Sequence, residues 1–393
     1  MSNVFGSVRK SRIFKDPAVL SFDYVPKNLP HRDTQLKKLA SLFNPVLESD
    51  LSQTAFVTGG VGTGKTVVTK YFCQELKTYG AGMNKLVDYV HINCRQRQSD
   101  AMVLLGVMRH FDPNFPERGF SVNEMMHSLR GKISKSGSIF LIVLDEADVL
   151  IKRSGSDLIY MLTRFNEENP KGKGSLSLVL ISQKYVLDKL DQAALSTFRR
   201  SNVVEFDTYN AEQLEAILND RVPLAFKDAV VEDGVVPLIA EMAKEYGDAR
   251  FAIELLDHAG RIAEEAGDAT VDAEHARGAK AAIKPYITTE QLEALELHKA
   301  MILFALARIL KKGAYVETKD LEDAYNLLCE EVGEKARGHT QIWKYLLDLE
   351  AQGLVAKKLD CKGSAGTIAM ITLMDCTTQE LIQALEPKVY KRE

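Results

Sequence analysis

The chain has no apolar run long enough to cross a bilayer. Its longest, Ile139–Leu144 and Ala300–Ala307, fall far short of the ~20 residues a spanning helix needs. No charged stretch followed by an apolar segment opens it, so no secretory leader and no membrane partner are expected. Its five cysteines, Cys73, Cys94, Cys329, Cys361 and Cys376, form no C-x-x-C pair and no cysteine–histidine metal spacing. That argues against a disulfide framework or a zinc module and suits reduced thiols in a cytoplasmic protein. Internal repeats and low-complexity tracts are absent too. Neither sign of charge dominates, because the formal net is −4 over 393 residues. Any nucleic-acid surface must therefore be sought in local charge.

What is present divides into two or three domains by length. Short, almost continuously apolar runs at Thr54–Thr58, Tyr89–Asn93, Ile139–Leu144, Leu176–Ile181 and Val203–Phe206 alternate with helical patterns. Strands apolar on both faces belong in a parallel sheet covered by helices, so residues 1–208 read as an α/β base. The strand signal disappears over residues 209–284, which read as short amphipathic helices. Residues 209–283 hold 16 acids against 7 bases, a net of −9. Beyond a boundary near Lys284–Thr289, residues 290–393 read as three helices followed by a β-hairpin.

The run Thr54–Thr58 leads straight into Gly59-Gly60-Val61-Gly62-Thr63-Gly64-Lys65-Thr66, and a helical pattern follows. This is G-x-x-x-x-G-K-T in the strand–loop–helix setting that its chemistry requires. The glycines let backbone N–H groups turn inward around phosphate oxygens, and the helix N-terminus adds partial positive charge. Lys65 is expected on the β- and γ-phosphates of ATP or ADP, and the Thr66 hydroxyl on Mg2+. The apolar run Ile139–Leu144 ends in Asp145-Glu146. Asp145 is expected to hold Mg2+ through water, and Glu146 to orient or deprotonate an attacking water.

In the C-terminal module, the segment His339–Glu350 carries Ile342, Tyr345, Leu346 and Leu349 at the i, i+3, i+4, i+7 spacing of a core-facing stripe. Gln341, Lys344 and Asp348 share the other face. Three helices and a hairpin make a winged helix, a helix-turn-helix variant. Thr318 is expected to cap its second helix. From Lys335 to Lys362 there are six bases against three acids. Gln341 and Lys344 are expected near base edges, and Lys357, Lys358 and the wing-tip Lys362 near phosphates.

Further motifs resemble those of the archaeal origin-recognition initiators of the AAA+ class. These are relatives of eukaryotic origin recognition complex subunit one and of the cell-division-cycle-six helicase loader. Tyr24-Val25-Pro26-Lys27-Asn28-Leu29-Pro30-His31-Arg32-Asp33 resembles the segment that walls the family's adenine pocket, and Gly247-Asp248-Ala249-Arg250-Phe251-Ala252-Ile253 resembles its sensor-2 helix. The resemblance implies nucleotide contacts from Val25, Pro30, Arg32 and Tyr209, with Arg250 reaching the γ-phosphate from a helical lid. It implies a sensor-1 role for Gln183, where relatives commonly carry asparagine, and an arginine finger at Arg199 or Arg200. A similar insertion, roughly 96–132 here, contacts DNA in that family, which implies a phosphate contact from Arg118 and an apolar groove contact from Phe115. The implied partners are double-stranded origin DNA, the replicative helicase and other initiator protomers, with ATP acting as a slow switch. A faster AAA+ motor or clamp loader, or a nucleotide-regulated promoter-binding protein, remains the alternative.

Overall fold

A computed structural model describes residues 11–167, 173–186, 198, 202–283, 289–311, 313–361, 367–374 and 376–390. The chain forms two compact units, residues 25–208 on the one hand and the N-terminal 24 residues with 209–393 on the other.

The first unit is built on five parallel strands: β1 (Thr54–Gly59), β2 (Val87–Asn93), β3 (Ile139–Asp145), β4 (Ser175–Ser182) and β5 (Val203–Phe206), in the order β2-β3-β4-β1-β5. Each expected strand is found, lengthened by up to two residues at an end. β3 and β4 are buried along their whole length and mostly apolar because both faces are covered. On β3, Phe140, Ile142 and Leu144 pack with α3 (Asp100–Phe111), α4 (Val122–Ser136), α5 (Ala147–Ser154) and α6 (Asp157–Thr163). The alternate residues Ile139, Leu141 and Val143 face the opposite core, with α1 (Asp33–Ser49) and α2 (Lys65–Gly82). The insertion is thus two helices, α3 and α4, whose starts are set by Ser99 and by a Ser121–Glu124 capping box.

In the second unit, α7 (Ala211–Ala225), α8 (Val235–Lys244), α9 (Ala249–Ala266) and α10 (Ala273–Ile283) make an all-helical lid. Asn210 and Gln213 form a capping box on α7, Asp248 caps α9, and Gly267 closes α9 in the left-handed region. Residues 11–24 pack here, although the sequence pattern placed them with the base. Ile13, Phe14, Val19 and Leu20 are buried in the lid core, and the rings of Phe14 and Phe226 lie 5.0 Å apart. The Lys15 N–H donates to the Ala225 carbonyl, and Arg221 donates to the Val19 carbonyl. Apolar side chains and backbone donors of this segment both find partners on α7, which outweighs its nearness in sequence to the base.

The winged helix follows as α11 (Thr289–Ala294), α12 (Leu297–Leu310), β6 (Val316–Glu317), α13 (Thr318–Val332), α14 (His339–Ala351), β7 (Val355–Cys361), β8 (Thr367–Leu373) and α15 (Thr378–Val389). The hairpin β7–β8 is antiparallel, and β6 adds to its β8 edge. Ile342, Tyr345, Leu346 and Leu349 are all buried, as the stripe required. Thr318 is not a cap: Glu317 holds that position, and the Thr318 hydroxyl donates to the Ala369 carbonyl instead. A pairing with β8, distant in sequence, takes the hydroxyl that local spacing assigned to the helix end. Among the described residues no helix is long and apolar enough to cross a membrane.

Gly260 on α9 makes the packing of residues 11–24 possible. A Cβ there would stand 2.6 Å from the Phe14 ring and 2.8 Å from the Phe226 ring. Gly260→Ala should lose about 1–3 kcal/mol by overpacking, offset by up to about 1 kcal/mol of helix propensity. Denaturant unfolding should register a net destabilisation. A stabilised variant would mean that the rings can move aside.

Candidate functional site

The carboxyl ends of β1, β3 and β4 lie side by side, and each carries a residue singled out from the sequence. Register pairs Thr58 with Ser182 and Leu144 with Leu180. The loop after β1, the Asp145-Glu146 pair and Gln183 are therefore neighbours along one edge of the sheet, where open α/β sheets bind ligands.

The loop backbone requires glycine. Gly59 has φ +153°, and a Cβ on it would meet the Phe206 carbonyl oxygen of β5 at 2.3 Å. Gly62 and Gly64 take φ +65° and +88°, which turns the loop into α2. The Lys65 ammonium is buried and donates to the carbonyls of Gly59 at 2.8 Å and Gly60 at 2.5 Å, and Thr63 donates to Gly60 as well. The loop is thus a cradle too tight for side chains, with a cation folded into it and a helix N-terminus behind. These features fit a polyphosphate.

Asp145 is the hub of the site. Its Oδ2 accepts from the Thr66 hydroxyl at 2.8 Å and faces His91 Nε2 at 2.9 Å, while its Oδ1 accepts the Glu146 N–H at 2.9 Å. Burial alone would raise its pKa. The hydrogen bond and charge of His91, with the bonds from Thr66 and the Glu146 N–H, outweigh that and hold it below the usual carboxylate range. A hydroxyl and an ionised carboxylate 2.8 Å apart beside the phosphate cradle are the donor set that a nucleotide-bound Mg2+ uses. Glu146 has φ +54°, left-handed for a non-glycine residue, and its carboxylate pairs with Arg95 Nε at 2.8 Å.

His91 and Arg95 were not found from the sequence. The available signal was a pair of polar residues, His91 and Asn93, at the carboxyl end of the strand. Only the β2–β3 register, with Asn93 opposite Asp145, carries His91 to the carboxylate.

The other expected residues fall out variously. Gln183 is half-buried just beyond β4, Val25 is exposed and Pro30 half-buried. Arg32 is buried, donating to the Asp207 carbonyl at 2.9 Å and lying over the Phe206 ring, so it ties its segment to the end of β5. Tyr209 and Arg250 belong to the second unit. Tyr209 is packed in the lid core, and Arg250 is exposed in the first turn of α9. Arg199 and Arg200 lie outside the described residues, as does Lys362.

On the insertion, Arg118 is exposed. Phe115 is not available to a partner: it is 8% exposed and packed in the core, its ring tilted against that of Phe120 with centroids 4.9 Å apart. The ring that stands outward is Phe120, 43% exposed. Burial of apolar area against α3 and α4 decides which of the two phenylalanines is free. On α14, Lys344 is exposed and Gln341 half-buried. Lys357 is engaged, ion-paired to Glu350 at 2.7 Å and 4.9 Å above the Trp343 ring. Lys358 stands 3.9 Å from Glu215.

Comparison with known proteins agrees with this geometry. Three family descriptions match in succession: AAA domain over residues 48–190, Cdc6 AAA+ ATPase-type lid domain over 215–281, and CDC6 C-terminal winged helix domain over 290–384. The ORC1-type DNA replication protein of Thermococcus onnurineus is 35% identical over 92% of this chain and 88% of its own length. ORC1-type DNA replication protein 1 of Sulfurisphaera tokodaii is 32% identical over 99% of this chain and 96% of its own. Among solved structures, Cdc6p from Pyrobaculum aerophilum aligns with a TM-score of 0.82 at 26% identity, covering 96% of this chain and 99% of that one. The Aeropyrum pernix ORC1 protein in complex with DNA aligns at 0.64 and 30% identity, covering 98% and 99%.

Gly59→Ala should push the loop off β5 and weaken ATP binding by about tenfold or more, roughly 1.4 kcal/mol. Titration with a fluorescent ATP analogue, on protein shown by circular dichroism to be folded, measures this. Unchanged affinity would mean that the cradle is not the phosphate site.

Proposed function

This chain belongs to the ORC1-type DNA replication protein family, and from that premise we propose that it is a replication initiator in which bound ATP acts as a slow latch. The observation that carries the reading is the Thr66–Asp145–His91 cluster set against the glycine cradle. Lys65 and the loop N–H groups would hold the β- and γ-phosphates, and Thr66 and Asp145 would hold Mg2+. Bound Mg2+ supplies charge neutralisation at the phosphates and fixes their orientation. Arg250 from the lid would read the γ-phosphate. An arginine finger, Arg199 or Arg200, would come from a neighbouring protomer or stay idle.

The disposition of Glu146 supports a latch over a motor. The carboxylate that would take a proton from the attacking water is ion-paired with Arg95. Gln183, longer than asparagine, would take the sensor position. Both favour slow turnover in the absence of a partner that rearranges them. A fast, DNA-stimulated motor is the alternative reading.

The A. pernix ORC1 relative was solved in complex with DNA, and the same chemistry is available here. The exposed Lys344 and the half-buried Gln341 would face a duplex from α14, with Lys362 on the wing. The insertion would add Arg118, and Phe120 in place of Phe115. Lys357 and Lys358 would serve less directly, since each already faces a carboxylate. Origin binding and recruitment of the replicative helicase would follow from the family role, in the cytoplasm.

Lys344→Ala should weaken duplex binding and lower the slope of log K against log salt by about one. An unchanged slope would assign the grip elsewhere. Arg95→Ala should raise single-turnover ATP hydrolysis by freeing Glu146. A slower or unaltered rate would remove that support for the latch.

A further inference from the structure

The lid and the winged helix meet around one fully buried cation. Arg277, on α10 of the lid, is 0% exposed. Its Nη1 pairs with Glu274 Oε1 at 2.6 Å, one turn earlier on the same helix. The rest of the guanidinium is spent on the other module. Nη2 donates to the carbonyls of Gly313 at 2.9 Å and Ala314 at 3.2 Å and to the Thr372 hydroxyl at 3.3 Å. Nε and Nη1 reach the Leu373 and Lys311 carbonyls at 3.4 Å. One side chain thus gathers the loop after α12 and the end of β8.

Glu274 makes the complementary grip. Its Oε2 accepts both the Thr378 N–H at 2.9 Å and the Thr378 hydroxyl at 3.0 Å, at the first residue of α15. The pair therefore holds three separate pieces of the winged helix to one turn of the lid. Apolar packing fills only part of the seam. Beside the pair lies a cavity of about 650 Å³, lined among others by Ile262, Gly278, Ala307 and Ile382. A buried guanidinium is worth its desolvation only when all its donors are used in a fixed geometry. That geometry exists at one relative orientation of the two modules.

We propose that Arg277, backed by Glu274, is a positioning residue that straps the winged helix to the lid, so that both turn as one body and the nucleotide state sensed by the lid reaches the DNA-reading helix α14. The second half of this statement rests on the latch reading above; the strap itself does not.

The test uses the full chain in a Cys361→Ser background, with spin labels on Glu265→Cys of the lid and Gln352→Cys of the winged helix. With Cys361 replaced, the remaining cysteines Cys73, Cys94, Cys329 and Cys376 are buried and leave those two sites to react. Double electron–electron resonance should give one narrow distance in the parent and a broad distribution in Arg277→Met. This variant keeps the apolar stem and leaves Glu274 its Thr378 donors, so it should fold. Arg277→Lys, with three donors in place of five, should fall between, and it carries the test if the methionine variant does not fold. A distribution as narrow as the parent's in the variant that folds would overturn the strap.

A second readout is the ratio of dissociation constants for a mixed-sequence DNA duplex with ATP and with ADP. The parent ratio should be about fivefold or more, and in Arg277→Met it should collapse towards unity while binding in ADP persists. A parent ratio of unity would refute the latch, and the distance distributions would still decide the strap. Broadened distances with a retained ratio would refute transmission through the strap.

Discussion

A single buried carboxylate organises the nucleotide edge of this protein. Asp145 closes β3, a strand buried along its whole length, and its oxygens take bonds from the helix after β1, from β2 and from its own chain neighbour. Thr66 and His91 converge on the same oxygen. An unpartnered carboxylate at that depth would take up a proton or draw in water. Here it stays ionised because the hydroxyl of Thr66 on α2, the imidazole of His91 on β2 and the Glu146 N–H all bond to it. The glycine cradle beside it is set against the Phe206 carbonyl of β5, which leaves no room for a Cβ at Gly59.

The second unit solves a different problem. Its lid is acidic and made of helices whose stability comes from packing an amphipathic face rather than from each helix alone. It gains a core by recruiting residues 11–24, whose Phe14 occupies the space that Gly260 leaves open. It gains a partner through Arg277, which turns toward the winged helix, and Glu274, which takes hold of α15. The lid is thereby joined to the winged helix through the ion pair of the buried Arg277 with Glu274.

Much of this was legible without coordinates. Five strands, the phosphate loop, the Asp145-Glu146 pair and the apolar stripe of α14 follow from periodicity and from motifs whose residues are neighbours in sequence. The misses share a cause. Phe115 and Phe120 stand five residues apart in one loop, and nothing local says which ring the core takes. Lys357 reads as a free surface base until Glu350 and Trp343 are brought against it. Thr318 looks like a cap until β8 offers it a carbonyl. The docking of residues 11–24 depends on a glycine some 240 residues away.

The sequence by itself determined the chemistry: a strand, a glycine loop, a lysine and a threonine in succession bind phosphate wherever they fold, because the loop backbone is the ligand. It also determined the order of modules, since hydrophobic period and charge change at each boundary. Only the tertiary structure decided who partners whom. His91 reaches Asp145, Arg95 restrains Glu146, and Arg277 is buried against Gly313, Ala314 and Thr372, all through contacts between segments far apart in the chain. Such pairings are selected by burial and by the need of every buried polar group for a partner, and those conditions exist only once the segments have been brought together.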